Sequence, residues 1–194
     1  MKKYLISTVL GCALFVSFSA GAFETKAKYA LLMDADTGYV MLNKKADVAM
    51  PPASMSKLMT AYMIFENLKQ GKLTLDTEFT VSENAWKKGG AKSGSSTMFL
   101  KPNQKVKVQD LIRGIIIQSG NDACIVAAEN IAGSEEVFAD IMTRKAKELG
   151  LEHSHFVTPH GLDNSEHYTT AYELAIMADY ALNIKEFEKI VSTK

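Results

Sequence analysis

Two short polar motifs in the sequence combine residue types that serve nucleophilic catalysis. The first, Ser54-Met55-Ser56-Lys57, is an S-x-x-K sequence at the start of a predicted helix. Because residues three apart share one helical face, the Lys57 amine can reach the Ser54 hydroxyl. A serine needs a base to remove its proton, and a lysine can be that base when burial or nearby cations keep it neutral. Ser54 is therefore the candidate nucleophile and Lys57 the candidate general base.

The second motif, Ser119-Gly120-Asn121, lies at a break between two apolar segments. A polar triplet there is either an ordinary interhelical turn or a place where side chains point into a cleft. An S-x-x-K sequence alone is a weak signal, since roughly one occurs by chance in 200 residues. The two motifs together match two of the three that are typical of penicillin-binding proteins and serine β-lactamases, the third being K-T-G. A further S-x-N match, Ser82-Glu83-Asn84, we interpret as a surface turn or helix cap.

The elements that must position these motifs begin with a predicted β-hairpin, whose strands Tyr29–Met33 and Tyr39–Leu42 flank an Asp-Thr-Gly turn. A helical pattern runs from Ser54 to Gln70. The polar segment from Val81 to Lys101 is predicted to be a functional or mobile loop. Helices are predicted after it, with no second set of strands: Val108–Gln118, Asp122–Ile131, one capped by Ser134, and one from a capping box at Thr170 through about Leu182. The fold class is therefore α/β (α+β).

The sequence resembles a known family over about Tyr29 to Ala181, nearly all of the chain that remains after a signal peptide. The family is the low-molecular-mass penicillin-binding proteins, the serine D-alanyl-D-alanine carboxypeptidases. The resemblance is carried by five segments in the family's order: Pro52 to Thr60, Gly94 to Leu100, Leu111 to Gly114, Gln118 to Cys124 and His160 to Asp163.

The resemblance implies a serine β-lactamase/penicillin-binding transpeptidase-like fold. One motif of the family is missing, since Lys-Thr-Gly occurs nowhere in the 194 residues. The family's remaining sheet strands, C-terminal β-rich domain and amphipathic membrane anchor are also not found. We therefore expect an N-terminal fragment, with residues 23–194 forming a partial catalytic domain and membrane contact only through the absent anchor. Little carboxypeptidase activity is expected from residues 23–194 alone.

The resemblance also implies a mechanism and its partners. The substrate would be a peptidoglycan stem peptide ending in D-Ala-D-Ala, and Ser54 would attack the penultimate carbonyl while Lys57 takes its proton. Ser119 would relay a proton to the leaving D-Ala, and Asn121 would bind a substrate amide and position the lysine. β-Lactam antibiotics would acylate the same serine. No metal or organic cofactor is expected.

The first 22 residues have the pattern of a signal peptide: Lys2-Lys3, an apolar run, and Ala20-Gly21-Ala22. We expect cleavage before Phe23 and export to the periplasm or the outer face of the cytoplasmic membrane. The alternatives are a membrane span, for which the run is short, and a lipoprotein cleaved at Cys12. Removing residues 1–22 leaves a net charge of −2 and one cysteine, Cys124, interpreted as buried packing. The absence of a basic surplus disfavours a nucleic-acid partner.

Three alternative functions remain open at this point. His153, His155, His160 and His167, with Asp163 among them, could form a zinc site. The interpretation favoured for His160 is that it orders the loop before the last helix. A serine β-lactamase would share the fold, although no Glu-x-x-Leu-Asn segment is present. A non-catalytic penicillin- or cell-wall-binding fragment is the third alternative.

Overall fold

The computed structural model describes residues 24–162 and 164–192. The predicted signal peptide, Cys12 and Asp163 lie outside these ranges. Strands β1 (Ala30–Met33) and β2 (Val40–Lys44) pair antiparallel, which confirms the predicted hairpin. Much of its apolar surface is exposed, including Leu32, Tyr39 and Met41.

The S-x-x-K motif begins in a 3₁₀ turn, Ala53–Ser56, which leads directly into helix α1 (Lys57–Lys69). The α-helix therefore starts three residues later than the sequence pattern predicts. The cause is Ala53, whose φ of +50° lies in the left-handed region and prevents a regular α-helix from starting there. Ser54 consequently lies in a tight turn ahead of the helix, and Lys57 occupies its first position.

The other elements are mostly helices, with two short strands among them. They are β3 (Glu78–Thr80), α2 (Glu83–Gly89), a 3₁₀ turn (Ala91–Ser93), β4 (Lys105–Lys107), α3 (Val108–Ile116), α4 (Asn121–Ala132), α5 (Glu135–Glu148), α6 (Ala171–Leu182) and α7 (Lys185–Val191). The predicted caps are confirmed, because Ser134 Oγ accepts the Val137 N–H and Thr170 Oγ1 accepts the Glu173 N–H.

Two predictions were wrong. A second sheet exists, since β3 and β4 pair antiparallel; each has only three residues and one buried apolar side chain, too short for a recognisable alternation. The segment 81–101 also contains a helix, α2. Its N-cap is Ser82, whose hydroxyl accepts the Ala85 N–H, and this confirms that the Ser82-Glu83-Asn84 match is a helix cap.

Helix α4 is the centre of the packing, since its first eight residues, Asn121 to Ala128, are all buried. A helix buried on every side is enclosed by its neighbours, which here include α1, α2, α3 and α5. The two polar residues that open α4, Asn121 and Asp122, thus lie in the interior and need partners there. Within the described ranges, every helix is too short or too polar to cross a membrane.

Candidate active site

The turn that carries Ser54 exposes one candidate residue and buries the other. Ser54 is exposed, whereas Lys57 retains only 5% of its accessible surface. A hydrophilic nucleophile is thereby open to a substrate while its neighbouring amine is enclosed by protein. Burial lowers the pKa of Lys57 below its ordinary value, because the charged ammonium loses its hydration.

The Lys57 amine lies between two oxygen atoms. Its Nζ is 3.1 Å from Ser54 Oγ and 2.9 Å from the backbone oxygen of His160. A carbonyl oxygen can only accept, so the His160 carbonyl takes an N–H of the amine. In a neutral lysine the nitrogen lone pair is then free to accept the Ser54 hydroxyl proton. The geometry thus suits a serine activated by a lysine base.

Ser54, Lys57 and Ser119 line one cavity of about 170 Å³. The S-x-x-K and S-x-N motifs are 62 residues apart in sequence at their closest candidate residues, Lys57 and Ser119, yet they meet here. Apolar residues of three helices form the rest of the wall, namely Leu58 from α1, Ile115 and Ile116 from α3, and Phe187 and Val191 from α7.

The break between α3 and α4 gives Ser119 an unusual backbone. Its φ is +55°, a left-handed conformation that costs roughly 1–3 kcal/mol in a residue with a side chain. The neighbouring Gly120 N–H donates to the Gly114 carbonyl, which fixes the turn. The break is therefore a defined structure that directs a serine into the cavity.

The Asn121 side chain binds Ser95 and not Lys57. Its side-chain Nδ2 donates to Ser95 Oγ at 3.0 Å, and its backbone N–H donates to the Ser96 carbonyl. Asn121 and Lys57 are not hydrogen-bonded to each other. Asn121 thus joins the start of α4 to the segment containing Ser95 and Ser96.

Asp122 is a site-supporting residue that the sequence analysis missed. Its fully buried carboxylate accepts hydrogen bonds from the Met98 and Leu100 N–H groups and from Thr97 Oγ1. It also accepts the Ala123 N–H at the first turn of α4. This side chain holds residues 97–100 against the start of α4. The available signal was an acidic residue in the first turn of a largely apolar helix.

The loop 159–162 is also a part of the site. The sequence analysis expected His160 to order this loop but did not place the loop beside Lys57. The His160 carbonyl bonds Lys57, and the Pro159 carbonyl accepts from Thr60 on α1. Gly161 adopts φ +82°, and a Cβ there would lie 1.9 Å from the Ala53 carbonyl oxygen. Only glycine allows this approach, so the loop is in direct contact with the turn that carries Ser54.

The four histidines have separate partners. His153 Nδ1 bonds the Glu173 carboxylate, His155 Nδ1 the Glu166 carbonyl, and His167 Nε2 the Ser56 hydroxyl. His160 Nδ1 accepts the Leu162 N–H, in line with a role in ordering this loop. Among the described residues, no three His, Cys, Asp or Glu side chains are grouped so as to hold a metal ion.

Cys124 is fully buried in α4, as predicted. Burial raises the pKa of its thiol to about 12. The thiol therefore remains protonated and is a poor nucleophile at neutral pH.

Comparison with known proteins gives a consistent result. Residues 16–194 match the family model described as D-alanyl-D-alanine carboxypeptidase. The chain is 39% identical over 202 residues to the D-alanyl-D-alanine carboxypeptidase DacF of Bacillus subtilis, covering 98% of this chain and 51% of that protein. It is 45% identical over 152 residues to DacC of Escherichia coli, covering 78% and 38%. The chain thus spans about half the length, or less, of these curated relatives.

The solved structures agree with this. The crystal structure of penicillin binding protein 5 from Haemophilus influenzae superposes with a TM-score of 0.82 at 37% identity, covering 86% of this chain and 48% of that one. For DacD of Francisella tularensis the TM-score is 0.81 at 39% identity, covering 87% and 40%. The predicted α/β class and penicillin-binding, transpeptidase-like fold are confirmed. With a family model that matches nearly the whole sequence and the two motifs meeting at one cavity, the chain belongs to the D-alanyl-D-alanine carboxypeptidase family.

Proposed function

We propose that this protein is a serine-type D-alanyl-D-alanine carboxypeptidase that removes the terminal D-Ala from peptidoglycan stem peptides through an acyl-enzyme on Ser54. The observation that carries this proposal is the exposed Ser54 hydroxyl at 3.1 Å from the buried Lys57 amine. Family membership supports the reaction and substrate class. Penicillin and other β-lactams are proposed to acylate the same serine.

In the proposed first step, neutral Lys57 takes the Ser54 hydroxyl proton while Ser54 Oγ attacks the carbonyl carbon of the penultimate D-Ala. The lowered pKa of Lys57 supports the base role, since an ammonium cannot accept a proton. The Ser54 backbone N–H is proposed to stabilise the oxyanion of the tetrahedral intermediate. The amide C–N bond then breaks, and the D-Ala nitrogen takes up a proton.

Ser119 is proposed to pass that proton from Lys57 to the leaving D-Ala nitrogen. Its support is that Ser119 lines the same cavity as Ser54 and Lys57. Water then attacks the Ser54 ester, releases the shortened peptide and restores the free hydroxyl. Asn121 is proposed to bind a substrate amide; this would require its side chain to exchange its bond with Ser95 Oγ for one with the substrate. That no metal or organic cofactor takes part stays a prediction.

The test combines covalent labelling with turnover. Purified protein is incubated with fluorescent penicillin and, separately, with a peptide ending in D-Ala-D-Ala. We expect a stable adduct that mass spectrometry maps to Ser54, together with release of D-Ala, of which residues 23–194 alone should give little because Lys-Thr-Gly is not among them. Ser54→Ala should abolish both. Ser56→Ala tests which serine is labelled: at any rate of acylation its adduct should still map to Ser54, because the Ser56 hydroxyl faces His167 and not Lys57.

Each outcome separates the proposal from its alternatives. Fast release of opened penicillin would instead identify a serine β-lactamase. Absence of any covalent adduct, with penicillin or peptide still bound, would identify a non-catalytic binding protein. An adduct on any residue other than Ser54 would overturn the assignment of the nucleophile.

We also propose that residues 1–22 are a signal peptide and that the protein acts outside the cytoplasm. The support is the charged start, apolar run and Ala20-Gly21-Ala22 ending. N-terminal sequencing of the exported protein should then begin at Phe23. A lipid-modified start at Cys12 would refute this in favour of a lipoprotein.

A further inference from the structure

A buried chain of hydrogen bonds connects His167 to the turn that carries Ser54. His167 Nε2 lies 2.7 Å from Ser56 Oγ, and Ser56 Oγ lies 2.9 Å from the backbone oxygen of Ala53. Both side chains are almost completely enclosed, with 2% of the surface of His167 exposed and 0% of that of Ser56. These hydrogen bonds therefore link two residues that are 111 apart in the sequence, and they end at Ala53, the residue immediately before Ser54.

The direction of each hydrogen bond follows from its partners. The Val157 N–H donates to His167 Nδ1 at 3.1 Å, so Nδ1 carries no proton. In a neutral imidazole the proton is then on Nε2, which donates to Ser56 Oγ. The Ser56 hydroxyl is left to donate its own proton to the Ala53 carbonyl, which can only accept. Every polar atom in the chain is thus satisfied in a single arrangement.

The receiving end of this chain is a strained backbone. Ala53 adopts φ +50°, a conformation that persists in a residue with a side chain only where its surroundings impose it. The Ser56 hydroxyl holds the Ala53 carbonyl within the turn, and Gly161 packs against the same oxygen. The conformation of Ala53 sets the direction in which the polypeptide backbone enters Ser54.

From this geometry we propose that His167 is a positioning residue, which acts through Ser56 to hold the Ala53–Ser54 backbone in the orientation that serves acylation. The proposal rests on the proposed function of Ser54. His167 does not line the cavity that contains Ser54 and Lys57, and the proposal assigns it no part in the proton transfers. Its effect is on the rate at which bound penicillin acylates Ser54, and not on the affinity for penicillin.

The surroundings of His167 keep it in the required neutral form. Burial is the main cause that lowers its pKa to about 4, and the nearby His160 and His155 rings lower it further. The His167 and Phe156 rings also meet nearly at right angles, with centroids 5.5 Å apart. His167→Phe would therefore keep the packing against Phe156 and remove the hydrogen bonds to Ser56 and Val157.

The experiment measures acylation by fluorescent penicillin over a range of concentrations. His167→Phe should lower the saturating acylation rate about tenfold, the value of one lost hydrogen bond, and leave the half-saturating concentration unchanged. Ser56→Ala should cause a similar loss. Because both act through one chain, the double variant should be no slower than either single variant. His167→Gln, which retains a donor, should recover the rate to within about threefold of wild type.

His153→Phe is the matched control, since it makes the same change in an exposed histidine that bonds Glu173 instead of Ser56. It should acylate at the wild-type rate. A wild-type rate in His167→Phe would overturn the proposal, as would losses that multiply in the double variant. If His167→Phe does not fold, Ser56→Ala decides: a wild-type acylation rate in that variant overturns the proposal, because it removes the hydroxyl through which His167 acts.

Hydrogen exchange separates this inference from the proposed function. If wild-type protein forms no adduct with penicillin, the proposed function fails, and exchange of the amides of residues 53–57 still tests the positioning. Faster exchange of this segment in His167→Phe, and not in His153→Phe, supports the proposal. Unchanged exchange overturns it.

Discussion

A methyl group added at Gly161 should disable the candidate site through a single atomic contact. Gly161→Ala would place a Cβ 1.9 Å from the Ala53 carbonyl oxygen and 2.7 Å from Ser56 Oγ. Ordinary van der Waals contact begins near 3.4 Å, so the loop and the turn must separate by about 1.5 Å. The His160 carbonyl, one residue earlier, would then leave hydrogen-bonding range of Lys57 Nζ, from which it is now 2.9 Å.

The loss of stability in Gly161→Ala has two parts, backbone strain and steric overlap, and a matched variant at Gly133 separates them. Gly133 has a φ of +86°, close to the +82° of Gly161, but an added Cβ there has nothing within 4 Å. Gly133→Ala should therefore cost only the left-handed strain, about 1–2 kcal/mol, or roughly 2–8 °C in melting temperature. Gly161→Ala should cost about 1–3 kcal/mol more, because the contact is overpacked.

The assay is acylation by fluorescent penicillin, measured beside thermal unfolding for both variants. A displacement of about 1 Å can reduce catalysis about 100-fold, and we expect a loss of this order in Gly161→Ala. Gly133→Ala should acylate at the wild-type rate despite its lower melting temperature. Equal acylation by the two variants would refute the reasoning that the 159–162 loop sets the position of Lys57 and of the turn.

Three further predictions concern the charged and titratable groups of the site. Lys57→Arg should form no penicillin adduct, because arginine stays protonated and cannot act as the base; adduct formation near the wild-type rate would exclude that role. Asp122→Ala should lower the free energy of unfolding by at least about 3 kcal/mol in urea titrations, since it leaves the buried N–H groups of Met98 and Leu100 without acceptors, whereas Asp122→Asn should cost less because one oxygen remains. The unfolding free energy should also fall by up to roughly 3 kcal/mol as the pH drops from 6.5 to 4, because unfolded His167 binds a proton that the folded state, with its pKa of about 4, does not. His167→Gln should reduce this pH dependence, and an identical pH profile in wild type and variant would contradict the assignment.

The sequence was informative where the local pattern alone decides the structure. The hairpin, the helix after Ser54, the caps at Ser134 and Thr170 and the burial of Cys124 all follow from periodicity, capping chemistry and apolar neighbours. Family resemblance added the expectation that the S-x-x-K and S-x-N motifs act together.

What could not be predicted depends on contacts between distant residues. Nothing near Asp122 in sequence indicates that its carboxylate binds the segment 97–100. The left-handed backbone of Ala53 is imposed by its surroundings, so no propensity reveals it. The short strands β3 and β4 likewise depend on pairing with each other more than on their own composition.

The long sequence separations within the candidate site have a consequence for folding. Lys57 and the His160 carbonyl are 103 residues apart, and Ser56 and His167 are 111 apart. Such non-local contacts form late, after local helices have appeared, because closing a long loop costs chain entropy. During refolding, the capacity to be acylated should therefore lag behind the recovery of helical circular dichroism. Fluorescent penicillin would then label only molecules in which these distant segments have come together. The rate at which labelling appears would therefore report the final step of folding.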